Sequence, residues 1–141
     1  MYLKSINPAD QSIVGEVKVS TKTEIERAVA KAKKAFKVWK SVPVEKRAKF
    51  VEKFGKEAMK RKKEIAKLVT LEMGKPLAEA IDDVGWYEDF INYYVRKGPK
   101  ILADEVIQKT KKMTRRIVHE PVGVCGVIAP WNFPFGNSVR S

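Results

Sequence analysis

Asn132 has the best-defined chemical opportunity in this chain of 141 residues. It stands within Pro130-Trp131-Asn132-Phe133-Pro134, an amide between two aromatics with a proline at either end. Each proline removes a backbone donor and fixes φ, so the spacing predicts a loop of set shape. Such a loop can present a side-chain amide to something small. The plainer alternative is that the Asn132 side chain only caps a turn. Two other residue types invite a chemical reading and do not sustain it. Cys125 is the chain's one cysteine and sits among apolar residues. With no neighbouring cation in the sequence, it reads as an inert core thiol. His119 is the one histidine. No second His or Cys clusters with it, so it reads as structural and no metal site is expected.

The loop needs an element to hold it. Val122, Val124, Val127 and Ile128, bounded by glycine and proline, read as a short buried strand running into it. Gly123 and Gly126 would let a second backbone or a ligand approach. The carboxyl end of a strand is where open α/β sheets bind ligands. Upstream, Ile6 to Val19 reads as strand, turn and strand, with turn chemistry in Asn7-Pro8-Ala9-Asp10. Thr21 with Glu24 forms a capping box that opens a helix, with Ser20 as the other candidate cap. Ile25, Val29, Ala32, Phe36 and Trp39 fall on one face of it, and Pro43 stops it. Glu45 to about Lys60 reads as a second helix, with Phe50, Val51, Phe54 and Ala58 inward. Gly55 within it either weakens the helix or admits a close neighbour.

The basic run Lys60-Arg61-Lys62-Lys63 reads as a solvated helix junction. Glu64 to Met73 is a third helix, burying Ile65, Leu68 and Val69. Gly74 supplies the positive φ that ends it. Pro76 opens a fourth helix at its first position, with Leu77, Ile81, Val84, Ile91 and Tyr94 along one side. Its aromatic stripe, Trp86-Tyr87 and Phe90 through Tyr94, reads as packing rather than a cofactor box. Gly98-Pro99 is expected to end it. Leu102 to Met113 has no clear period, and Thr114 to Glu120 reads as a strand.

Composition bounds the class. Hydrophobic residues make up 44% and charged residues 33% of the chain, which indicates a globular, soluble protein. No apolar run approaches the ~20 residues of a membrane span, so no membrane partner is expected. One cysteine permits no internal disulfide, which makes a reducing compartment, the cytoplasm, the expected location. The formal net charge is +12. The simplest reading places the lysines on solvated helix faces, with balancing acid in the rest of a larger protein. A basic module binding nucleic acid is the alternative ranked last, since it leaves the proline-pinned aromatic loop without a role.

Pro130 to Pro134, preceded by Glu120-Pro121-Val122-Gly123-Val124, resembles the signature of the aldehyde dehydrogenase superfamily. Asn7-Pro8-Ala9, Ala35-Phe36 with Trp39, and Leu71-Glu72-Met73-Gly74-Lys75-Pro76-Leu77 are similar to its N-terminal region in the same order. The resemblance covers essentially the whole chain but only the first part of a family member. It implies an α/β fold: an N-terminal β-hairpin, helices, and the first strand of a Rossmann-like NAD(P)-binding domain, incomplete. Residues 1–141 would be the N-terminal part of that domain, with about 100–121 as an oligomerisation-strand region.

By the same resemblance, Asn132 is the oxyanion-hole donor, worth ~3–4 kcal/mol in such reactions. Ile128, Ala129, Pro130 and Trp131 lie along NAD or NADP, although no GxGxxG is present. The implied reaction oxidises an aldehyde through a Cys thiohemiacetal, and Gly74-Lys75-Pro76-Leu77 leans toward semialdehydes such as succinate semialdehyde. The family's nucleophilic Cys and general-base Glu lie farther along, so the chain alone is expected to be inactive. Its expected partners are the aldehyde, the remainder of the enzyme or a complementary chain, and other copies in a homo-oligomer. The alternative of another class is a non-catalytic split or truncated chain acting as an assembly partner.

Overall fold

The computed structural model describes residues 1–140. Strands β1 (Tyr2–Ile6) and β2 (Ile13–Lys18) form an antiparallel hairpin, with Leu3 opposite Val17 and an irregularity between Ser5 and Ile6. The expected turn between them is built by Asn7. Its side-chain oxygen accepts from the Ala9 amide at 3.0 Å, and its backbone amide donates to Ser12 O at 2.9 Å. These bonds satisfy Asn7, which is buried, as a buried amide requires. Asp10 continues the turn by accepting from the Ser12 amide at 2.9 Å and the Ser12 hydroxyl at 2.6 Å.

Helix α1 (Lys22–Trp39) begins on Thr21, and the capping box is complete. Thr21 Oγ1 accepts from the Glu24 amide at 3.2 Å, and Glu24 accepts from the Thr21 amide at 2.7 Å. The predicted apolar face exists as a stripe, but Ile25, Val29 and Trp39 are exposed and α1 buries no residue. Periodicity marks a face that can be covered; it does not provide the cover. Only near its end does α1 find an aromatic neighbour, with the Trp39 ring edge-on to Phe50 at 5.5 Å.

The core lies among α2 (Val44–Lys60), α3 (Lys62–Met73) and α4 (Leu77–Ile101). Helix α4 is the centre, with α2 and α3 both packed on it. Small side chains set these contacts. Ala66 and Ala80 have no exposed surface, and Val84 retains 2%. At Gly55 a Cβ would come within 2.9 Å of Ile91 Cγ2, so the glycine admits the close neighbour that its position suggested. Ala58 and Val69 complete the inward faces, with Tyr87 and Ile91 from α4.

Several expected core residues are not in the core. Phe50, Val51, Phe54, Leu68, Leu77 and Tyr94 are exposed. Phe50, Val51, Phe54 and Tyr94 border an open apolar groove between α2 and α4. The glycine and alanine contacts bring the helix axes close, and the larger residues one turn away are left on its rim. Two helix boundaries also differ. Pro76 sits just before α4 rather than inside it, and α4 continues through Pro99 to Ile101. Pro99 lies in the last turn, where its missing N–H removes only one ladder bond.

The basic run is a junction, as its charge pattern suggested. The α2–α3 break falls at Arg61 (φ −101°, ψ 14°). Lys60 pairs with Glu57 at 2.8 Å, and Arg61 forks onto Glu64 at 2.8 and 2.6 Å. Those cations hold the Glu57 and Glu64 carboxyls below the ordinary glutamate value. Beyond α4, β3 (Glu105–Lys109) and β4 (Thr114–Ile117) form an exposed antiparallel hairpin.

The strand expected over Val122–Ile128 is not formed. Residues 118–130 belong to no helix or paired strand, and Val122 and Ile128 are 92% and 98% exposed. β-branched residues favour extended backbone, but a strand also needs a partner ladder, and no described strand pairs here. Cys125 is consequently an exposed thiol rather than a core one. Among the described residues, no helix is long and apolar enough to cross a membrane.

The Glu24 carboxyl is held below the ordinary value chiefly by the hydrogen bond from Lys18, then by the Thr21 amide and hydroxyl. A carboxyl depressed in the folded state stabilises the fold above its unfolded pKa, and that contribution is lost as pH falls through the folded value. The cap of α1 should therefore fray at acid pH. Carboxyl carbon shifts should show Glu24 titrating below the other exposed glutamates, and T21A should move its midpoint upward.

Candidate functional site: the Asn132 loop

Trp131–Phe133 form a turn that leads into a short helix, α5 (Pro134–Arg140). Pro134, expected to help fix the loop, also opens that helix. Proline is favoured at a first helical position because the N–H it lacks would have no partner there. The Asn137 amide closes the first turn onto Phe133 O at 2.9 Å, and the Ser138 hydroxyl donates to Pro134 O at 2.8 Å.

Helix α5 is docked on α4. The Phe135 ring stands edge-on to Tyr87, with centroids 5.7 Å apart, and Gly136 is buried directly beneath the Tyr87 phenol. A Cβ at residue 136 would overlap the Tyr87 hydroxyl and ring. Sequence reasoning missed this requirement, because a glycine in a short helix carries no signal about what packs over it. The remainder of the aromatic stripe packs on itself: Trp86 on Phe90 at 5.6 Å, and Phe90 on Tyr94 at 4.7 Å.

Asn132 lies exposed on the turn. Its backbone oxygen accepts from Lys75 Nζ at 3.3 Å. The same ammonium bonds the Asp83 carboxylate on α4 and sits 4.1 Å from the centroid of the Phe133 ring. Lys75 and Asp83 are thus part of the loop's mounting, and sequence reasoning had not singled out either for this. The spacing of Lys75 and Asp83 on either side of Pro76 was the available signal, since it allows a pair across a helix start.

The remaining residues expected at the site follow in order without converging on a pocket. Ala129 is half-buried, Pro130 is exposed, and Trp131 is 75% exposed. Beside the loop, Asp83, Trp86, Tyr87, Phe133, Asn137 and Arg140 line a shallow cleft. The Arg140 guanidinium there lies 5.5 Å from the Trp86 ring centroid and 5.7 Å from that of Phe90. The site can therefore present an amide from a braced turn, beside a cleft with aromatic walls and both signs of charge. Among the described residues, no group of three or more His, Cys, Asp or Glu could hold a metal ion.

Comparison with known proteins gives a consistent result. The family model described as "Aldehyde dehydrogenase family" matches residues 1–141. The chain is 33% identical over 138 residues to the mitochondrial succinate-semialdehyde dehydrogenase of Arabidopsis thaliana, covering 98% of this chain and 26% of that protein. It is 30% identical over 128 residues to the NADP(+) succinate-semialdehyde dehydrogenase of Escherichia coli K12, covering 91% and 27%. A solved structure of a betaine aldehyde dehydrogenase variant from Staphylococcus aureus, in complex with NAD+, superposes with a TM-score of 0.90 at 30% identity, covering 99% of this chain and 29% of that one. The chain thus spans about a quarter of the length of the relatives it matches.

The Gly136–Tyr87 contact generates a direct test. G136A must displace a buried phenol, and overpacking of this kind costs about 1–3 kcal/mol. Urea unfolding followed by circular dichroism should show that loss, whereas S138A, at an exposed position, should change stability by less than about 1 kcal/mol.

Proposed function

The chain belongs to the aldehyde dehydrogenase family, and on that premise we propose that it forms the first portion of an enzyme that oxidises an aldehyde with NAD or NADP. The net reaction is RCHO + NAD(P)⁺ + H₂O → RCOOH + NAD(P)H + H⁺. A cysteine thiolate from the remainder of the enzyme adds to the aldehyde carbon, and the carbonyl oxygen takes up negative charge. Loss of hydride leaves a thioester, which water cleaves to the acid.

The observation that carries this reading is the Asn132 loop: an exposed amide on a turn braced by Lys75 and by α5. A donor held in place before charge develops costs no reorganisation at the moment of reaction and is worth ~3–4 kcal/mol. Cys125 is not the proposed nucleophile; it lies in the segment outside helices and strands, seven residues before Asn132.

For the dinucleotide, the residues present fit. Ile128 to Trp131 lie in no helix or paired strand, and both ends of this stretch are largely exposed. Their backbone is open to a ligand lying along it. When bound, the dinucleotide supplies the hydride acceptor. Ile128, Ala129, Pro130 and Trp131 would form part of its floor and aim the chain at Asn132.

A semialdehyde is the substrate class we favour, because two of the relatives above are named for succinate semialdehyde. Gly74-Lys75-Pro76-Leu77 has a structural role here, so it adds no weight to that choice. The apolar groove bordered by Phe50, Phe54, Phe90 and Tyr94 supports assembly with the remainder of the enzyme or a complementary chain. The exposed β3–β4 hairpin, within about 100–121, is the surface proposed to meet a neighbouring subunit. The proposed location is the cytoplasm, which the lone cysteine favours.

Formation of NAD(P)H at 340 nm tests the reading. The 141-residue chain alone should give none with succinate semialdehyde. The enzyme assembled with its remainder should be active, and N132A should lower kcat by about 10²–10³ with little change in dinucleotide affinity. Unchanged kcat in N132A would refute the oxyanion role.

A further inference from the structure

Lys75 is an unusual lysine. Its side chain is only 12% exposed, whereas lysines normally keep the ammonium in water. The backbone on either side of it is tightly set. Gly74 takes φ 76°, a left-handed conformation that ends α3, and Pro76 fixes φ at −52° ahead of α4. From this corner the side chain carries the ammonium under the Asn132 turn. Three groups meet it there: the Asp83 carboxylate, the Asn132 carbonyl oxygen at 3.3 Å and the face of the Phe133 ring at 4.1 Å.

Each partner suits a buried ammonium. The carboxylate balances its charge, since an unpaired buried charge is costly. The carbonyl takes a charge-assisted hydrogen bond, roughly twice as strong as a neutral one. The ring face attracts the cation through its quadrupole. Two of the three partners are consecutive residues, 57 and 58 positions further along the chain, and one of them is Asn132. The grip therefore falls on the peptide unit that joins Asn132 to Phe133. Fixing that plane restricts the direction of the Asn132 Cα–Cβ bond. Pro134 adds a second restriction by disfavouring helical geometry at Phe133.

We propose that Lys75, anchored by Asp83, is a positioning residue that fixes the Asn132 turn and so aims the side-chain amide. Its catalytic consequence rests on the reading of Asn132 as oxyanion donor given above; its structural consequence does not. A cation with several donors suits the role, because it can serve a carboxylate and a carbonyl while facing a ring. A misplacement of about 1 Å at a reacting group can cost 10²-fold in rate, so a brace remote from the chemistry can govern turnover.

The test combines amide exchange in the chain with kinetics in the assembled enzyme. K75M keeps most of the length of the side chain and removes its charge, whereas K75R keeps the charge. In K75M, exchange at the Asn137 amide, which bonds Phe133 O, should quicken at least tenfold, while the Val84 amide in the core changes less than twofold. K75R should restore the Asn137 amide to within about threefold of the parent. In the assembled enzyme, K75M should lower kcat 10–100-fold and leave KM for the dinucleotide within twofold.

Unchanged exchange at Asn137 in K75M overturns the proposal. Equal quickening at Val84 also overturns it, because Lys75 would then be a general stabiliser. If N132A loses kcat while K75M leaves both loop exchange and kcat intact, the oxyanion reading survives and the brace does not. If K75M loosens the loop and neither K75M nor N132A affects kcat, the brace stands and the oxyanion reading fails.

Discussion

The corner at Gly74, Lys75 and Pro76 constrains much of what surrounds it. Gly74 adopts a left-handed φ of 76°, which a residue with a Cβ takes only at a cost. That conformation ends α3, and Pro76 then sets the backbone from which α4 departs. The reversal lays α3 along α4, so that Ala66 and Ala80 lose all exposure and Val84 nearly all. A Cβ on Gly74 would also lie 3.2 Å from Pro8 Cγ, so the turn of the N-terminal hairpin rests against the same corner. Lys75 projects from it toward a loop almost sixty residues away. Core packing, placement of the hairpin and bracing of the candidate site thus meet in three consecutive residues.

The helices approach one another through small residues rather than large ones. Gly55 faces Ile91, Ala66 and Ala80 lie between α3 and α4, and Gly136 sits beneath Tyr87. Close approach strengthens dispersion contact along the shared face. It also moves bulky neighbours to the rim, which is why Phe50, Phe54 and Tyr94 border a groove instead of filling a core. Several surface charges are organised locally. Lys56 with Glu52, Lys60 with Glu57 and Arg61 with Glu64 pair along single helix surfaces. Such exposed pairs add little stability individually, and they leave the net charge of +12 unchanged.

Asn132 receives its setting from elements far apart in sequence. Helix α5 fixes the turn from one side through Phe135 on Tyr87, and Lys75 holds it from the other. The segment that leads into the turn contributes no comparable hold, since residues 118–130 lie outside any helix or paired strand. A turn braced on one side and approached by open backbone on the other is the setting on which the proposed dinucleotide and aldehyde site rests. Preorganisation of this kind is what the proposed oxyanion donor would need.

The sequence by itself determined what depends on short-range chemistry. Thr21 and Glu24 define the start of α1, Asn7 builds its turn, Gly74 ends α3, and Arg61 marks the α2–α3 junction. Each of these is settled within a few residues by a hydrogen bond or a backbone preference. The Pro-Trp-Asn-Phe-Pro motif likewise disclosed the family, because rare residues at fixed spacing carry that information without any fold. Tertiary structure alone decided which faces are covered and what holds the loop. Val122 to Ile128 has the composition of a strand but finds no ladder, the apolar face of α1 lies open, and Cys125 is exposed. The grip of Lys75 on Asn132 and the need for glycine beneath Tyr87 were equally out of reach. Burial, strand pairing and long-range contacts depend on where other segments arrive in space, and no local pattern of residues encodes that arrival.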